Sequence, residues 1–356
     1  MLLFRHSIIN GIFNYNWYPS ETVTNSVDLF NTQYVNNLNP DNYFSVYQNS
    51  FDNLEDIALN SYNTPIEYIE TDQNGNETLI KDTADQFIDV VLSDTDYQSS
   101  NPDDYQTVNN IEERKNRLTE NNLILAANFS YILDKRESLF DNSFSIFRAK
   151  LEFAGNLLAN TSKLLGLEKD SDGRYKINGV AFSQYIKTEL DYVKHWSMGR
   201  NNVIASRVFF GIAVPYGNSN SIPFSRSFFS GGANDNRAWI AYDLGPGSSD
   251  SNNEFNEANL KIALSLEHRY NLFGSLNGAF FIDVGNIWNV ADNENDPGAT
   301  FDDFNSFKDI AIGSGFGLRY DFGFFVLRGD IGFKTYDPSQ IKADRWGKQI
   351  SFRRTV

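Results

Sequence analysis

The chain has 356 residues, enough for one large domain or two ordinary ones, and it contains no cysteine, which excludes disulfides and thiolate chemistry. Its formal net charge of −16 argues against a nucleic-acid partner, because a phosphate backbone demands a basic surface. No run approaches the roughly 18–20 apolar residues of a transmembrane helix. Aromatic residues make up 15% of the chain, which suits either a transmembrane β-barrel or a secreted β-sandwich.

The informative pattern is alternation of apolar and polar residues with period two, which predicts β-strands. In Leu260–Leu272, for example, Leu264 and Leu266 lie on one face of the predicted strand, and Glu267 and Arg269 lie on the other. In chain order the predicted strands are Leu2–Ile9, Ile12–Tyr18, Leu123–Leu133, Phe147–Phe153, Ile186–Tyr192, Val203–Val214, Leu260–Leu272, Leu276–Trp288, Ile310–Asp321 and Phe324–Lys334. Charges that repeat on the polar face favour a water-filled barrel lumen over the surface of a sandwich.

The links between the predicted strands are alternately short and long. The short ones are Ile9–Gly11, Asp134–Asp141, Ser197–Asn201, Phe273–Gly274 and Phe322–Gly323. The long ones are Pro19–Asn122, Leu158–Ala181, Tyr216–Ala258, Asn289–Asn305 and Tyr336–Lys348. Bacterial barrels have short periplasmic turns and long extracellular loops, so this order predicts an all-β, antiparallel, transmembrane meander of about ten strands.

The longest link, Pro19–Asn122, is acidic and rich in Asn, Asp, Tyr and Ser. Its place among the long links predicts a large extracellular loop over residues 19–122. Local helix is predicted at Phe51–Ala58 and Ile111–Leu118, whereas Asp94–Asp104 has the composition of a solvated, mobile loop.

Four segments carry a resemblance to a known family. They are Phe228–Trp239 with its Gly231-Gly232 pair and Arg237, Gly278–Asn286 with Phe281, Asp283 and Gly285, and the strand segments Gly315–Tyr320 and Leu327–Asp330. The chain resembles the BamA/TamA family of outer-membrane assembly barrels, the POTRA-associated bacterial surface antigens. In that family an arginine on an infolded loop pairs with a Phe-x-Asp-x-Gly strand.

Elementary chemistry supports this pairing. Alternation places Phe281 and Asp283 on the lumen face, where the carboxylate needs a partner that a guanidinium can bind with two hydrogen bonds. Phe281 offers its ring face to the same cation, and Gly231 and Gly232 would let the loop fold inward. The sequence departs from the family motif because Ala238 replaces a glycine and Trp239 is the aromatic residue. The alternative is a solvated Arg237 on the loop and an unrelated Asp283 on the lumen wall.

The resemblance implies that residues 1–356 are a partial barrel domain, about ten strands of sixteen, that lacks both ends and the POTRA domains. Residues 216–257 would be the infolded arginine-motif loop. The implied function is insertion, assembly or translocation of outer-membrane proteins through a seam that opens, in the outer membrane of a bacterial cell. The implied partners are the lipid bilayer, nascent outer-membrane proteins and periplasmic or lipoprotein assembly factors, with no catalytic residue, cofactor or metal.

Two other functions fit much of the same sequence: a passive, porin-like pore and, less well, a soluble β-sandwich adhesin. Sites of other kinds are poorly supported. Gly313–Gly317 lacks the Lys-Ser/Thr of a phosphate loop. The acidic segments Asp170–Gly173 and Asp292–Asp303 lack the spacing of a calcium-binding EF-hand. The sequence therefore predicts no enzyme.

Overall fold

The computed structural model describes residues 6–37, 42–71, 75–138, 141–199, 202–249, 256–292 and 296–347. Ten strands form one antiparallel sheet in which each pairs with its neighbours in sequence, as the alternation predicted. They are β1 (His6–Ser20), β2 (Val23–Asn37), β3 (Asn122–Asp134), β4 (Ser145–Ala154), β5 (Tyr185–Ser197), β6 (Asn202–Pro215), β7 (Leu260–Phe273), β8 (Leu276–Trp288), β9 (Ala311–Asp321) and β10 (Val326–Tyr336). Within the described residues β1 and β10 form the two edges.

The start of the sheet differs from the prediction. The predicted link Ile9–Gly11 is wrong because β1 runs through it, and the first turn lies instead at residues 21–22. Residues 23–37, predicted to begin the long loop, form β2. β-bulges explain the error: the register of β1 and β2 shifts between Gly11 and Phe13, and Phe30 in β2 has a positive φ of 55°. A bulge reverses the phase of the apolar–polar alternation. In the sequence, a strand with a bulge therefore looks like two short strands or shows no clear alternation.

The alternation of short and long links survives this correction, because the longest link now spans residues 38–121 between β2 and β3. It contains a compact helical unit, here called the helical insert (residues 42–71 and 75–121). Its helices are α1 (Tyr43–Val46), α2 (Gln48–Asp56), α3 (Ala84–Ser93), α4 (Thr95–Ser100) and α5 (Pro102–Thr119), with a π-helical turn at Ile57–Ser61 and a short hairpin of Ile69–Thr71 and Glu77–Leu79.

The helical insert has its own apolar core, whose largest fully buried side chains include Phe87, Leu54 and Ile88. The helices predicted at Phe51–Ala58 and Ile111–Leu118 lie within the regions that α2 with its π-turn and α5 occupy. The expectation of a mobile loop over Asp94–Asp104 is wrong, since Asp94 caps α4 and α5 begins at Pro102. Polar composition there reflects caps and exposed helix faces rather than disorder.

The other long links also carry structure. Residues 155–184 hold α6 (Asn156–Thr161) and a hairpin of Lys176–Ile177 and Val180–Ala181. Short 3₁₀ turns lie at Phe224–Arg226 and Phe304–Asp309, with further ones at Ile66–Tyr68 and Lys81–Thr83 in the helical insert. No helix in the described part of the chain has the length and apolarity to cross a membrane. The first residues of the predicted strand Leu2–Ile9 and the closing segment Gln349–Val356 lie outside the described residues.

The two faces of the sheet differ in chemistry. One face carries large apolar side chains open to the surroundings, among them Phe280, Ile282 and Leu318, which are 47–56% exposed. The opposite face carries the charged residues and, at its centre, the link between β6 and β7. Burying the outer face would remove a wide apolar area from water, as a lipid bilayer does around a barrel.

Candidate functional site: the arginine loop

The described residues of the link between β6 and β7 (216–249 and 256–259) fold back onto the inner face of the sheet; we call them the arginine loop. It turns at Gly231 and Gly232, both with φ of +98°, a conformation that favours glycine. Across this turn the Gly232 N–H donates to the carbonyl of Trp239 at 2.8 Å. The Asp235 carboxylate closes the turn by accepting a hydrogen bond of 2.7 Å from the Gly231 N–H.

Arg237, at the far side of this turn, contacts Asp283 on β8. Its Nε and Nη2 donate to the two carboxylate oxygens at 2.7 and 2.8 Å, and its backbone N–H donates to one of them at 3.1 Å. Arg237 is 7% exposed and Asp283 is 1% exposed. The planar fork of arginine therefore meets a buried carboxylate in the bidentate geometry predicted from the sequence.

Phe281, two residues before Asp283 on the same strand, completes the contact. The guanidinium carbon of Arg237 lies 3.6 Å from the centroid of the Phe281 ring, within the range of a cation–π interaction. The opposing residue on β9 is Gly315, where a Cβ atom would overlap the Phe281 ring and the carbonyl of Ile331. This glycine leaves room for the ring.

The arginine loop lies unusually close to the last two strands because glycine faces it there too. A Cβ atom at Gly332 of β10 would lie 2.7 Å from the carbonyl oxygen of Arg237 and 3.0 Å from Cα of Ala238. At Gly313 of β9 it would lie 2.8 Å from Cβ of Ala238. The absence of side chains at Gly313 and Gly332 therefore lets the loop backbone pack directly against β9 and β10.

In the comparison with protein families, the Omp85 superfamily domain matches residues 9–353, nearly the whole chain. The chain belongs to the Omp85 superfamily. A search among curated proteins finds no match.

Two solved structures were matched to this chain, and the one from BamA shares its fold. BamA from Haemophilus ducreyi lacking POTRA domains 1–3 matches with a TM-score of 0.53 and 10% identity, over 97% of this chain and 53% of that one. CdiB from Acinetobacter baumannii also matches, with a TM-score of 0.30 and 10% identity, over 95% of this chain and 48% of that one. This Omp85 chain thus spans about half the length of the structures it matches.

The Omp85 chain holds further charged residues around Arg237 that sequence reasoning did not assign to the site. Glu267 of β7 accepts hydrogen bonds from Arg237 and from Arg319 of β9, the latter at 2.9 Å. Asp330 of β10 lies 3.3 Å from Arg319. Alternation had placed Glu267 on the polar face. Its contact with Arg319 depends on the register of three strands, and that register cannot be read from a single sequence.

The remaining motif residues have structural surroundings of their own. Trp239 is 2% exposed and packs with Leu244 and Ala311, not on the Arg237 guanidinium. A Cβ atom at Gly285 would lie 2.6 Å from the carbonyl oxygen of Ile262, so this glycine serves the close pairing of β7 and β8. Ala238, which replaces the family's glycine, has no positive φ, so alanine is compatible with its backbone.

The acidic segments considered for calcium are engaged with the protein itself. Asp170 accepts hydrogen bonds from the backbone N–H groups of Asp172 and Arg174 and from the Arg174 side chain at 2.9 Å. Part of Asp292–Asp303 lies outside the described residues. Among the residues that the structure describes, no group of three or more His, Cys, Asp or Glu side chains could hold a metal ion.

Proposed function

We propose that this chain is the barrel portion of an outer-membrane factor that inserts or translocates other proteins, located in the outer membrane of a bacterial cell. The observation that carries the proposal is the contact of Arg237 with Asp283 and Phe281, inside a domain of the Omp85 superfamily. The exposed apolar band around Phe280 and Leu318 supports the lipid bilayer as one partner. Nascent outer-membrane proteins, with periplasmic or lipoprotein factors, are the other proposed partners.

The contact matters to this function because it holds a long loop inside a lumen. A free link of more than forty residues would sample many conformations. Fixing it therefore costs conformational entropy, and this cost grows slowly with the length of the link. Three hydrogen bonds from one residue to one buried carboxylate select a single position instead. Because the contact lies within a domain of the Omp85 superfamily, it favours an assembly or translocation factor over a porin.

The test compares Arg237→Ala and Arg237→Lys in cells that depend on the full-length protein. Arg237→Ala leaves the buried Asp283 carboxylate without its guanidinium, a loss of about 3–5 kcal/mol for a broken buried pair. We expect fewer folded outer-membrane proteins and a lower unfolding temperature of the barrel. Arg237→Lys keeps the charge but loses the fork, so both effects should be intermediate.

The matched control is Arg136→Ala, which removes an arginine paired with Asp134 at the β3–β4 turn, away from the loop. It should leave assembly and stability unchanged. If Arg237→Ala lowers only the unfolding temperature while outer-membrane protein levels stay normal, the pair is structural and the assembly role fails. In that case a solute conductance that survives in the variant would favour the porin-like alternative.

A further inference from the structure

Beneath the tip of the arginine loop lies a cavity of about 380 Å³, here called the arginine cavity. Arginines from four strands line it: Arg148 of β4, Arg207 of β6, Arg269 of β7 and Arg328 of β10. The volume is within the range of sites for small ligands, roughly 300–1,000 Å³. Arg237 also lines it, together with the carboxylates of Asp191, Asp235 and Glu267, so the cavity adjoins the contact between Arg237 and Asp283.

The arginines around this cavity outnumber their carboxylate partners. Asp191 is shared by Arg148 at 3.1 Å and Arg207 at 2.8 Å. Glu267 is shared by Arg237, Arg269 and Arg319, and Asp330 by Arg319 and Arg328. With Asp283, and counting only described residues, the six guanidiniums share four carboxylates; they are Arg148, Arg207, Arg237, Arg269, Arg319 and Arg328. Asp235, which also lines the cavity, pairs with Lys261 at 3.0 Å, so an excess of two positive charges remains.

This excess faces the open side of the cavity. The side chains of Arg148, Arg207 and Arg269 are 42–45% exposed, whereas the carboxylates of Asp191 and Glu267 beneath them are 13% and 7% exposed. The acids thus form a buried layer that orients the guanidiniums, and the guanidiniums form the surface that a solute meets. A surface of this kind, with guanidiniums exposed over buried carboxylates, presents positive charge and charge-assisted hydrogen-bond donors to an anion.

The direction of the N–H groups that reach the loop tip supports the same conclusion. Arg207 Nη1 donates to the carbonyl of Asn234 at 3.3 Å, and Arg328 donates to the carbonyl of Ala233. Both guanidiniums therefore point across the cavity to neutral oxygens at the loop tip. A charged oxygen in the cavity would form the stronger, charge-assisted bonds with the same donors.

We propose that the arginine cavity binds oxyanions, either carboxylate groups of an acidic polypeptide segment or a phosphate. The planar guanidinium fork matches both groups in two-point geometry. The proposal goes beyond the assembly function and does not depend on it, because binding can be measured on purified protein without any client. The outcome of that measurement also separates the two sources of the anion.

The experiment titrates the full chain in detergent with inorganic pyrophosphate and, separately, with a hexaglutamate peptide, by calorimetry at low salt. We expect saturable binding of at least one probe. Arg148→Gln should weaken it about tenfold, the loss of one charge-assisted contact. Asp191 keeps Arg207 in this variant, so the sheet should fold. Arg148→Lys should recover part of the affinity.

Two further variants make the result specific. Arg136→Gln removes the same charge outside the cavity and should leave the affinity unchanged. Ser265→Asp adds a carboxylate to the cavity lining without removing an arginine, and should weaken binding as much as Arg148→Gln. Tighter binding of pyrophosphate assigns the site to phosphates, and tighter binding of hexaglutamate assigns it to acidic segments. Absence of saturable binding for both probes, or an equal loss in Arg136→Gln, overturns the proposal.

Discussion

Arg237 shows how a buried ion pair can determine position rather than add stability. Removing a guanidinium and a carboxylate from water costs several kcal/mol for each ion, and their attraction repays this only with good geometry and further hydrogen bonds. Asp283 has that geometry, with three hydrogen bonds from one residue. The ion pair therefore fixes the arginine loop in one position. Its net contribution to the free energy of unfolding is one that well-packed apolar residues could also make.

Gly332 and Gly329 give a test of how closely the loop rests on β10. A Cβ atom at Gly332 would meet the backbone of Arg237 and Ala238, whereas at Gly329 nothing lies within 4 Å. Gly332→Ala should push the loop away and destabilise the domain by about 1–3 kcal/mol, the usual cost of overpacking. Thermal unfolding of the purified chain measures this.

Gly329→Ala is the matched control, since it adds the same methyl group to the same strand. Its unfolding temperature should equal that of the parent chain or rise slightly, because alanine lowers the entropy of the unfolded state. Equal destabilisation by both variants would mean that β10, rather than the loop contact, is sensitive to the extra methyl group.

The sequence alone was enough to predict the contacts of some residues at the site but not of others. The contact of Arg237 with Asp283 and Phe281 could be predicted because strand alternation gave the face and a motif resemblance gave the partner. The roles of Glu267, Arg319 and Asp330 could not, because they meet only when β7, β9 and β10 are in register. Alternation specifies a face, whereas register specifies a neighbour.

The strands and helices also differ in how well the sequence predicted them. β3 to β10 were predicted within a few residues, since each alternates cleanly over most of its length. β2 was missed because polar residues such as Asn25 interrupt its apolar face and the bulge at Phe30 shifts its phase. The helical insert was predicted only in part, because short helices joined by tight turns give too few repeats of the 3.6-residue period.

The apolar core of the helical insert can be tested with two isoleucines. Ile88 of α3 is fully buried in that core, and Ile66 is 90% exposed. Ile88→Ala should destabilise the insert by about 2–5 kcal/mol, the cost of a buried large-to-small substitution. Limited proteolysis of the full chain should then cut within residues 42–121 at a lower protease concentration.

Ile66→Ala should leave the cleavage pattern of the parent chain unchanged, because the side chain already lies in water. An insert that resists protease equally in both variants would show that the core of the insert contributes little to its order. Unfolding of the whole sheet in Ile88→Ala would show instead that insert and barrel fold as one cooperative unit.

The cap of α4 gives the helical insert a dependence on pH. Hydrogen bonds from the backbone N–H groups of Tyr97 and Asp96, and from the Tyr62 hydroxyl, hold the pKa of Asp94 below its usual range. A carboxylate with a lowered pKa contributes stability above its ordinary value, about 3.9, and loses it as the pH falls through the folded value. Proteolysis by an acid protease should therefore rise at α4 below about pH 4.

Asp94→Asn separates the cap from its titration. Asparagine also caps helices well but does not ionise. The variant should lose the added sensitivity to acid at α4 while remaining folded at neutral pH. If parent and variant respond to acid alike, other carboxylates control the insert and Asp94 is only a cap.

Across the whole molecule, charge is divided between two regions. Residues 42–121 carry seventeen Asp and Glu against four Lys and Arg, a net of −13 out of the chain's −16. The inner face of the sheet exposes mainly arginines instead. The insert is joined to the long links on its own side of the sheet by Arg117 with Glu257 at 2.6 Å and by Glu120 with Arg174 at 2.8 Å.

This arrangement predicts the orientation of the chain in a membrane. All the long links, including the helical insert, leave the sheet at one end, and the short turns lie at the other. Barrels of bacterial outer membranes keep long loops outside the cell and short turns in the periplasm. The 356 residues of the chain contain no cysteine, so within them a single introduced cysteine is the only thiol, and the full-length protein without it gives the background labelling. Ser99 in α4 and Ser197 at the β5–β6 turn are both exposed.

In intact cells, a maleimide that cannot cross the outer membrane should label Ser99→Cys of the full-length protein and leave Ser197→Cys unlabelled. After the outer membrane is opened, both should react, which shows that each thiol is accessible in the folded protein. Labelling of Ser197→Cys alone in intact cells would invert the proposed orientation. Equal labelling of both before permeabilisation would contradict the membrane-spanning arrangement itself, because only a lipid barrier between the two ends of the sheet distinguishes two exposed serines.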